Sequence, residues 1–362
     1  MMPSLAIPCS LMRGGTSKGL VVRASDLPAD RAQRDDLLIR LLGSPDPRQI
    51  DGLGGAHPLT SKVAVVSPSA RAGMDVDYLF LQVWPDRAEV SDAQNCGNML
   101  AAVAPFAIEE GMVIAGDPTT DVRIWMVNTD TAAVARVHTP GGCVEYAGDA
   151  RIDGVPGFHA PIEITFADIA GSACGSLLPT GSVRDTIDGV DVTCIDNGMP
   201  VVCLRASDFG LDGSETPAEI EAMPHVRERV ENIRIRAGAL MNLGDVTNST
   251  VPKMSLLSPP SSGGSINTRT FIPHRVHEAI GVLGAVSVAT ACSLPESVAA
   301  DIARLTSSDS QLTVDVEHPS GFFTVTLNLD PSTSPPTVMG ASLLRTARLL
   351  MRGEAFALGG AA

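Results

Sequence analysis

The most pointed chemistry in this chain lies in five consecutive residues, Gln94-Asn95-Cys96-Gly97-Asn98. An apolar run at helical spacing follows them, which puts Cys96 at a helix N-terminus. The positive end of the helix dipole there favours a thiolate. The first backbone N–H groups of the helix, at Gly97 and Asn98, are free to hold a carboxylate. Glycine and asparagine around a thiol make a poor apolar core site, although a buried, inert cysteine is the competing reading. That reading fits the other six of the seven cysteines, which sit in or beside strand-like or apolar runs.

Lys62 opens the apolar run Val63-Ala64-Val65-Val66. Lysine is seldom buried without a partner. An amine that loses its water gives up its proton more readily and can act as a base near neutral pH. The alternative is a lysine that reaches out from a strand end. Just ahead lie Asp51-Gly52-Leu53-Gly54-Gly55 and Thr60-Ser61. Gly54, Gly55 and Ser61 mark backbone that bends or approaches something closely, and they are candidates for substrate contact.

A third group is Met12-Arg13-Gly14-Gly15-Thr16-Ser17-Lys18-Gly19. Adjacent glycines let backbone N–H groups turn toward an anion, with the hydroxyls of Thr16 and Ser17 beside them. Arg13 can grip a carboxylate with two donors. The composition is that of a phosphate loop, but the four-residue gap of a Walker motif is missing. A tight turn into the strand at Leu20 is the plain alternative. In the second half, Pro273-His274-Arg275-Val276-His277 stands before an expected helix. Basic side chains at a helix start oppose the dipole, so Arg275 and His277 are expected to face an anion. His274 and His277 are three residues apart with no third ligand in view, which makes a metal site a weak reading. Glu317-His318-Pro319-Ser320-Gly321 reads as a turn whose Ser320 hydroxyl and Gly321 N–H could also face the site.

These residues need elements to hold them. Strands are expected over 19–23, 62–67, 76–83 and 122–127, with helices over 29–42 and 97–110. After a loop-rich stretch at 171–181, a soft boundary near 182 divides a domain 1–182 from a domain 183–362. The pattern then repeats: strands over 190–195, 201–205, 253–258 and 265–270, helices over 217–237 and 274–291, and a hairpin over 311–318 and 322–329. A last strand over 345–351 closes the chain and could pair back with the first domain. Each half thus has β-rich segments and one helix of small residues that could sit inside a curled sheet.

The whole chain narrows the classes of function. With 362 residues it can build two real cores. A formal charge of -15 and 4% aromatic residues leave neither the basic footprint nor the stacking platforms of a nucleic-acid binder. An acidic chain must build any anion site locally. No apolar run reaches the roughly 18–20 residues of a membrane span. Met1–Ser10 lacks the charged start and long apolar run of a secretory signal. Seven cysteines without CxxC spacing fit free thiols in a reducing cytoplasm.

Taken together, MRGGTSKG (12–19), DGLGG (51–55), LTSKVAVV (59–66), DVDYLFLQV (75–83) and QNCGN (94–98) resemble the PrpF-type isomerase family. The later runs YAGDARIDGVPG (146–157), LLPTG (177–181), CIDNGMPVV (194–202) and MNLGDV (241–246) are similar to one branch of it. That branch includes the 4-oxalomesaconate tautomerases and Δ-isomerases of gallate and protocatechuate breakdown. The resemblance spans nearly the whole chain. It implies a diaminopimelate-epimerase-like α+β fold of two similar domains, each a curled sheet around a central helix. It implies no metal, no organic cofactor, and a small tricarboxylate as substrate. No nucleic-acid or membrane partner is expected, and a homo-oligomer is compatible with it. The family's active-site lysine and cysteine fall on Lys62 and Cys96. The second catalytic cysteine of diaminopimelate epimerases has no clear match, because Cys292 lies in an apolar helix. Around Asn128 the chain reads Met-Val-Asn-Thr-Asp, where related tautomerases have Glu-Asn-Thr-Gly. The expected reaction is a cofactor-free proton shift on 4-oxalomesaconate, with aconitate or 2-methylaconitate as the alternative substrate. A non-catalytic carboxylate-binding accessory protein is the alternative of another class.

Overall fold

The structure, a computed structural model, describes residues 5–93, 95–167, 169–272, 274–307, 310–330, 332 and 337–357. Gln94 and Pro273, both within motifs singled out above, lie outside the described residues. The chain divides into two units, Met1–Ile164 with Leu344–Ala362, and Thr165–Leu343. The division therefore falls about one strand earlier than the boundary expected near 182, and the last strand belongs to the first unit.

The first unit opens with β1 (Leu5–Gly14) and β2 (Ser17–Arg23), an antiparallel hairpin. Helix α1 (Arg31–Leu42) follows, capped by the Asp30 carboxylate on the Gln33 N–H and closed by Gly43 at φ 79°. Then come β3 (Lys62–Pro68) and β4 (Val76–Val83), with the short β5 (Val90–Ser91) on the edge of β4. Helix α2 (Gly97–Glu109) precedes β6 (Thr119–Met126) and β7 (Thr131–His138). Strand β2 pairs parallel with β3, β3 antiparallel with β4, β4 parallel with β6, and β6 antiparallel with β7.

Every residue of α2 from Met99 to Ile108 is buried. A helix that is apolar all round must be enclosed, and α2 packs against β1, β2, β3, β4 and β7. Its alanines let the surrounding sheet come close. The other face of the same sheet is covered by Leu37, Leu38, Leu41 and Leu42 of α1, which meet Leu20, Val22, Val63, Val65, Leu81 and Val83. Strand β3 is thus buried on both faces, which explains its unbroken apolar run.

Strand β8 (Ile162–Ala167) leads to the second unit, with β9 (Asp185–Ile187), β10 (Val190–Asp196) and β11 (Pro200–Arg205). Two helices, α3 (Pro217–Glu221) and α4 (Pro224–Leu240), stand where one was expected over 217–237. Pro224 lacks an N–H and disfavours helix at the residue before it, so the helix must restart there. Next come β12 (Lys253–Ser258), β13 (Ile266–Phe271) and α5 (Val282–Ser293). They are followed by β14 (Thr306–Ser307), β15 (Gln311–His318), β16 (Gly321–Asp330) and β17 (Thr337–Arg345). The chain turns at Thr346 into β18 (Ala347–Ala357), which pairs antiparallel with β1. The strand expected over 345–351 is therefore two strands meeting at Thr346.

The second unit repeats the order of the first. Strands β10 and β11 form a hairpin, β11 pairs parallel with β12, β12 antiparallel with β13, β13 parallel with β15, and β15 antiparallel with β16. Its central helix is α5, buried from Val282 to Cys292 and packed on β10, β11, β15 and β16. The helix expected over 274–291 begins only at Val282. Residues 274–280 instead turn back on β13, where the His277 N–H donates to the Thr270 carbonyl and the Ile272 N–H to the Arg275 carbonyl.

Candidate active site

Lys62 is the first residue of β3, and strand alternation decides where it points. Val63 and Val65 belong to the core under α1, so Lys62, Ala64 and Val66 face α2. Cys96 is the residue just before α2, extended at φ -129°, with no side-chain cap of its own. The Lys62 Nζ lies 3.6 Å from the Cys96 Sγ, although 34 residues separate them. Both are nearly enclosed, at 6% and 9% exposed. The amine also sits 4.9 Å above the centre of the Phe80 ring. The Tyr78 hydroxyl donates to the Cys96 carbonyl at 3.1 Å, and the Cys96 N–H donates to Asn95 Oδ1 at 2.8 Å. These two bonds fix the backbone that carries the thiol.

The sequence reading did not single out Gln82, whose Oε1 accepts from Lys62 Nζ at 3.2 Å. A signal was present: in Tyr78-Leu-Phe80-Leu-Gln82, period two puts a carboxamide on the same buried face as two aromatic rings. A buried polar group on an apolar face needs partners.

The hairpin residues divide between the two faces. A Cβ on Gly14 would lie 2.4 Å from the Asn98 carbonyl oxygen, and one on Gly15 would lie 2.2 Å from Asn98 Oδ1. Gly15 is also at φ 50°, and its N–H is spent on the Thr346 carbonyl at 2.9 Å. The Gly15 N–H is therefore not free for an anion, and the two glycines let the hairpin abut the first turn of α2. Thr16 belongs to that contact, its Oγ1 accepting from Asn98 Nδ2 at 3.0 Å. Ser17 is buried on the α2 face.

Arg13 is not brought to Lys62. It lies on the opposite face of β1 from Met12 and Gly14. Its Nη1 donates to the Gly15 carbonyl and to the carbonyl and Oγ1 of Thr346, each at 3.0 Å. Burial and the neighbouring Arg348 lower its pKa to about 10. Nη1 thus braces the hairpin from the face of β1 opposite Lys62, while Nη2 is buried without a hydrogen-bond partner.

The second glycine loop is also support. A Cβ on Gly54 would meet the Gln49 side chain and one on Gly55 the Thr60 side chain. Ser61 Oγ donates to Gln49 Oε1 at 2.6 Å, and the Ser61 carbonyl accepts from Gln82 Nε2 at 3.1 Å. Asn128, at the departure from the related motif, holds β4 through the Phe80 N–H and carbonyl at 2.7 and 2.9 Å.

In the second unit, Arg275 is exposed in a turn rather than at a helix start. His277 Nδ1 accepts from the Ala279 N–H at 2.8 Å. Ser320 Oγ donates to the Glu278 carbonyl at 2.7 Å, with Gly321 next to it opening β16. These four residues thus gather around 275–279 and the turn between β15 and β16. Cys292 is enclosed in α5, and burial pushes its thiol up to about 12. Lys253, which the sequence reading passed over, opens β12 as Lys62 opens β3. Burial, helped by Arg234, lowers its pKa to about 8.

Residues 4–357 match the model of the family described as PrpF protein. The chain belongs to the PrpF family. It is 57% identical to (4E)-oxalomesaconate Delta-isomerase of Novosphingobium sp. (strain KA1), over 96% of this chain and 97% of that one. It is 56% identical to 4-oxalomesaconate tautomerase of Pseudomonas putida, over 96% and 95%. Among solved structures, methylitaconate-delta-isomerase superposes with a TM-score of 0.84 at 33% identity, covering 99% of this chain and 98% of that one. A hydroxyproline epimerase shares the fold at 13% identity and a TM-score of 0.55. This PrpF-family chain is an isomerase with the diaminopimelate-epimerase-like α+β fold.

Proposed function

We propose that this PrpF-family isomerase shifts a proton on 4-oxalomesaconate without a cofactor, using Lys62 and Cys96 as its two proton carriers. The observation that carries this reading is the 3.6 Å between Nζ and Sγ. Such a separation suits two groups that serve the two ends of one conjugated unit. The names of the two relatives at 57% and 56% identity supply the substrate. The same names support a role in the breakdown of gallate or protocatechuate, and the seven cysteines, all free, support a cytoplasmic site of action.

A carbon next to both a carbonyl and an alkene is acidic, because loss of its proton gives a delocalised dienolate. One member of the pair takes that proton, and the C–H electrons pass into the conjugated system. The other returns a proton to the far carbon, which moves the double bond, or to oxygen, which gives the enol. Contact between Lys62 and Cys96 lets the displaced proton pass back and resets the pair. The N–H groups of Gly97 and Asn98, at the start of α2, hold a carboxylate and the developing negative charge.

Lys62→Ala and Cys96→Ala are the direct test, in a spectrophotometric assay with 4-oxalomesaconate. Each is expected to lose roughly 100-fold or more in kcat, the scale of general acid–base catalysis. Deuterium from solvent should enter the allylic position during turnover. Near-native rates in both variants overturn the assignment. Two relatives, named 3-methylitaconate isomerase and 2-methyl-aconitate isomerase, are 35% and 34% identical. They favour a methyl-substituted dicarboxylate or tricarboxylate as the second reading, and a higher kcat/KM on 2-methylaconitate than on 4-oxalomesaconate would select it.

A further inference from the structure

Gln82 lies directly opposite Lys62 in the pairing of β3 with β4 and is 3% exposed. A buried carboxamide must satisfy both its ends. Its Nε2 lies 3.0 Å from the Pro58 carbonyl oxygen, 3.1 Å from that of Ser61 and 3.3 Å from that of Val83. Turning the amide over would set its oxygen against three carbonyl oxygens, so only one orientation is tenable. That orientation aims Oε1 at the Lys62 amine. The Ser61 carbonyl is itself held, since it also accepts the Val83 N–H at 3.2 Å.

A lysine side chain gives up rotamer freedom when it is fixed. Gln82 fixes the amine by a hydrogen bond alone, and it carries no charge. Among the described residues, the titratable groups facing the amine are the Cys96 thiol at the start of α2 and, beyond it on β4, the Tyr78 hydroxyl on the Cys96 carbonyl. A carboxylate at position 82 would lock the amine as an ammonium ion, because an opposite charge within about 4–6 Å favours the charged form. A carboxamide accepts a hydrogen bond from the amine in either state.

We propose that Gln82 is the positioning residue for Lys62: it holds Nζ against the Cys96 thiol while leaving the amine free to gain and lose its proton. This rests on the reading of Lys62 as a proton carrier and adds what keeps it in place. It assigns the loop 58–61 a task as well, that of orienting the carboxamide.

The test compares Gln82→Met and Gln82→Glu with Lys62→Ala, measuring kcat, KM, the pH–rate profile on 4-oxalomesaconate and thermal stability. Gln82→Met should lower kcat roughly 10- to 100-fold, the cost of a small misplacement, with KM changed by less than about threefold. Gln82→Glu keeps the side-chain volume but sets its second oxygen against the Pro58, Ser61 and Val83 carbonyl oxygens, so it too should lower kcat roughly 10- to 100-fold. If both variants leave kcat within about twofold while Lys62→Ala is inactive, the inference falls and the reading of Lys62 stands. If Lys62→Ala turns over normally, the reading itself falls, whatever the Gln82 variants do. Loss of folding in both Gln82 variants assigns the residue a purely structural role and also overturns the inference.

Discussion

Arg13 is the residue whose role depends most on the face it occupies. Its type and its place beside two glycines match a carboxylate clamp, yet its Nη1 is engaged with Gly15 and Thr346. The expected outcome of Arg13→Met follows from that engagement. Loss of hydrogen bonds from a charged donor should cost about 1–3 kcal/mol of stability. KM for 4-oxalomesaconate should change by less than about threefold, whereas loss of a bidentate carboxylate contact would raise it by tenfold or more. Denaturant unfolding together with steady-state kinetics on one preparation separates the two. At this scale local chemistry marked Cys96, a thiol at a helix start, and left Lys62 open as a strand-end lysine or a base; the resemblance of the surrounding motifs pointed to both as the active pair. Gln82 was not, since its importance lies in what stands across the sheet from it.

At the scale of elements, β3 and β12 make a matched pair. Each opens with a buried lysine and pairs in parallel with the second strand of a hairpin. For Lys253 the environment has a measurable consequence. Its pKa falls from the model-compound 10.5 to about 8, through burial first and the charge of Arg234 second. Between those values the unfolded chain binds the proton and the folded chain does not, so stability rises as pH rises from about 8 to 10.5. Below that window both states are protonated, and the folded state carries the cost of a buried charge. Lys253→Met should remove the rise and stabilise the protein at pH 7 by something on the order of 3 kcal/mol. Guanidinium unfolding of both proteins at pH 7, 8, 9 and 10 gives the difference curve that checks it; parallel curves would refute the placement of the amine. The helix starts were the least legible feature. Residues 274–281 have helical spacing of apolar groups, but the N–H groups of Val276, His277 and Ala279 bond to the Glu221 carboxylate, the Thr270 carbonyl and His277 Nδ1, and tertiary hydrogen bonds outweigh propensity.

Across the whole molecule, the thiols differ in reach. Cys143 is exposed and the other six are buried, Cys96 the least so at 9% exposed. Burial pushes Cys174, Cys194 and Cys292 up to about 12, and raises Cys9 and Cys203 as well. Thiols kept from water and kept protonated react slowly. Iodoacetamide on the native protein should therefore label Cys143 and Cys96 before any other. Inactivation should follow Cys96 alone, with an unchanged rate in Cys143→Ser. Peptide mass mapping against residual activity is the measurement, and inactivation that tracks Cys174 or Cys292 would contradict it.

The division between local and tertiary information follows from how side chains find each other. By itself the sequence determined most strands, the two fully apolar helices, and the motifs that mark Lys62 and Cys96. All of these depend on residues within a few positions along the chain. Only the tertiary structure decided that Nζ and Sγ meet at 3.6 Å, that Gln82 holds the amine, that Arg13 faces away, and that the last strand joins the first unit. Strand β3 is buried on both faces, so its sequence shows no alternation from which to read the side that α2 occupies. Once that side is known, period two assigns every residue of the hairpin and of β4, and the site follows.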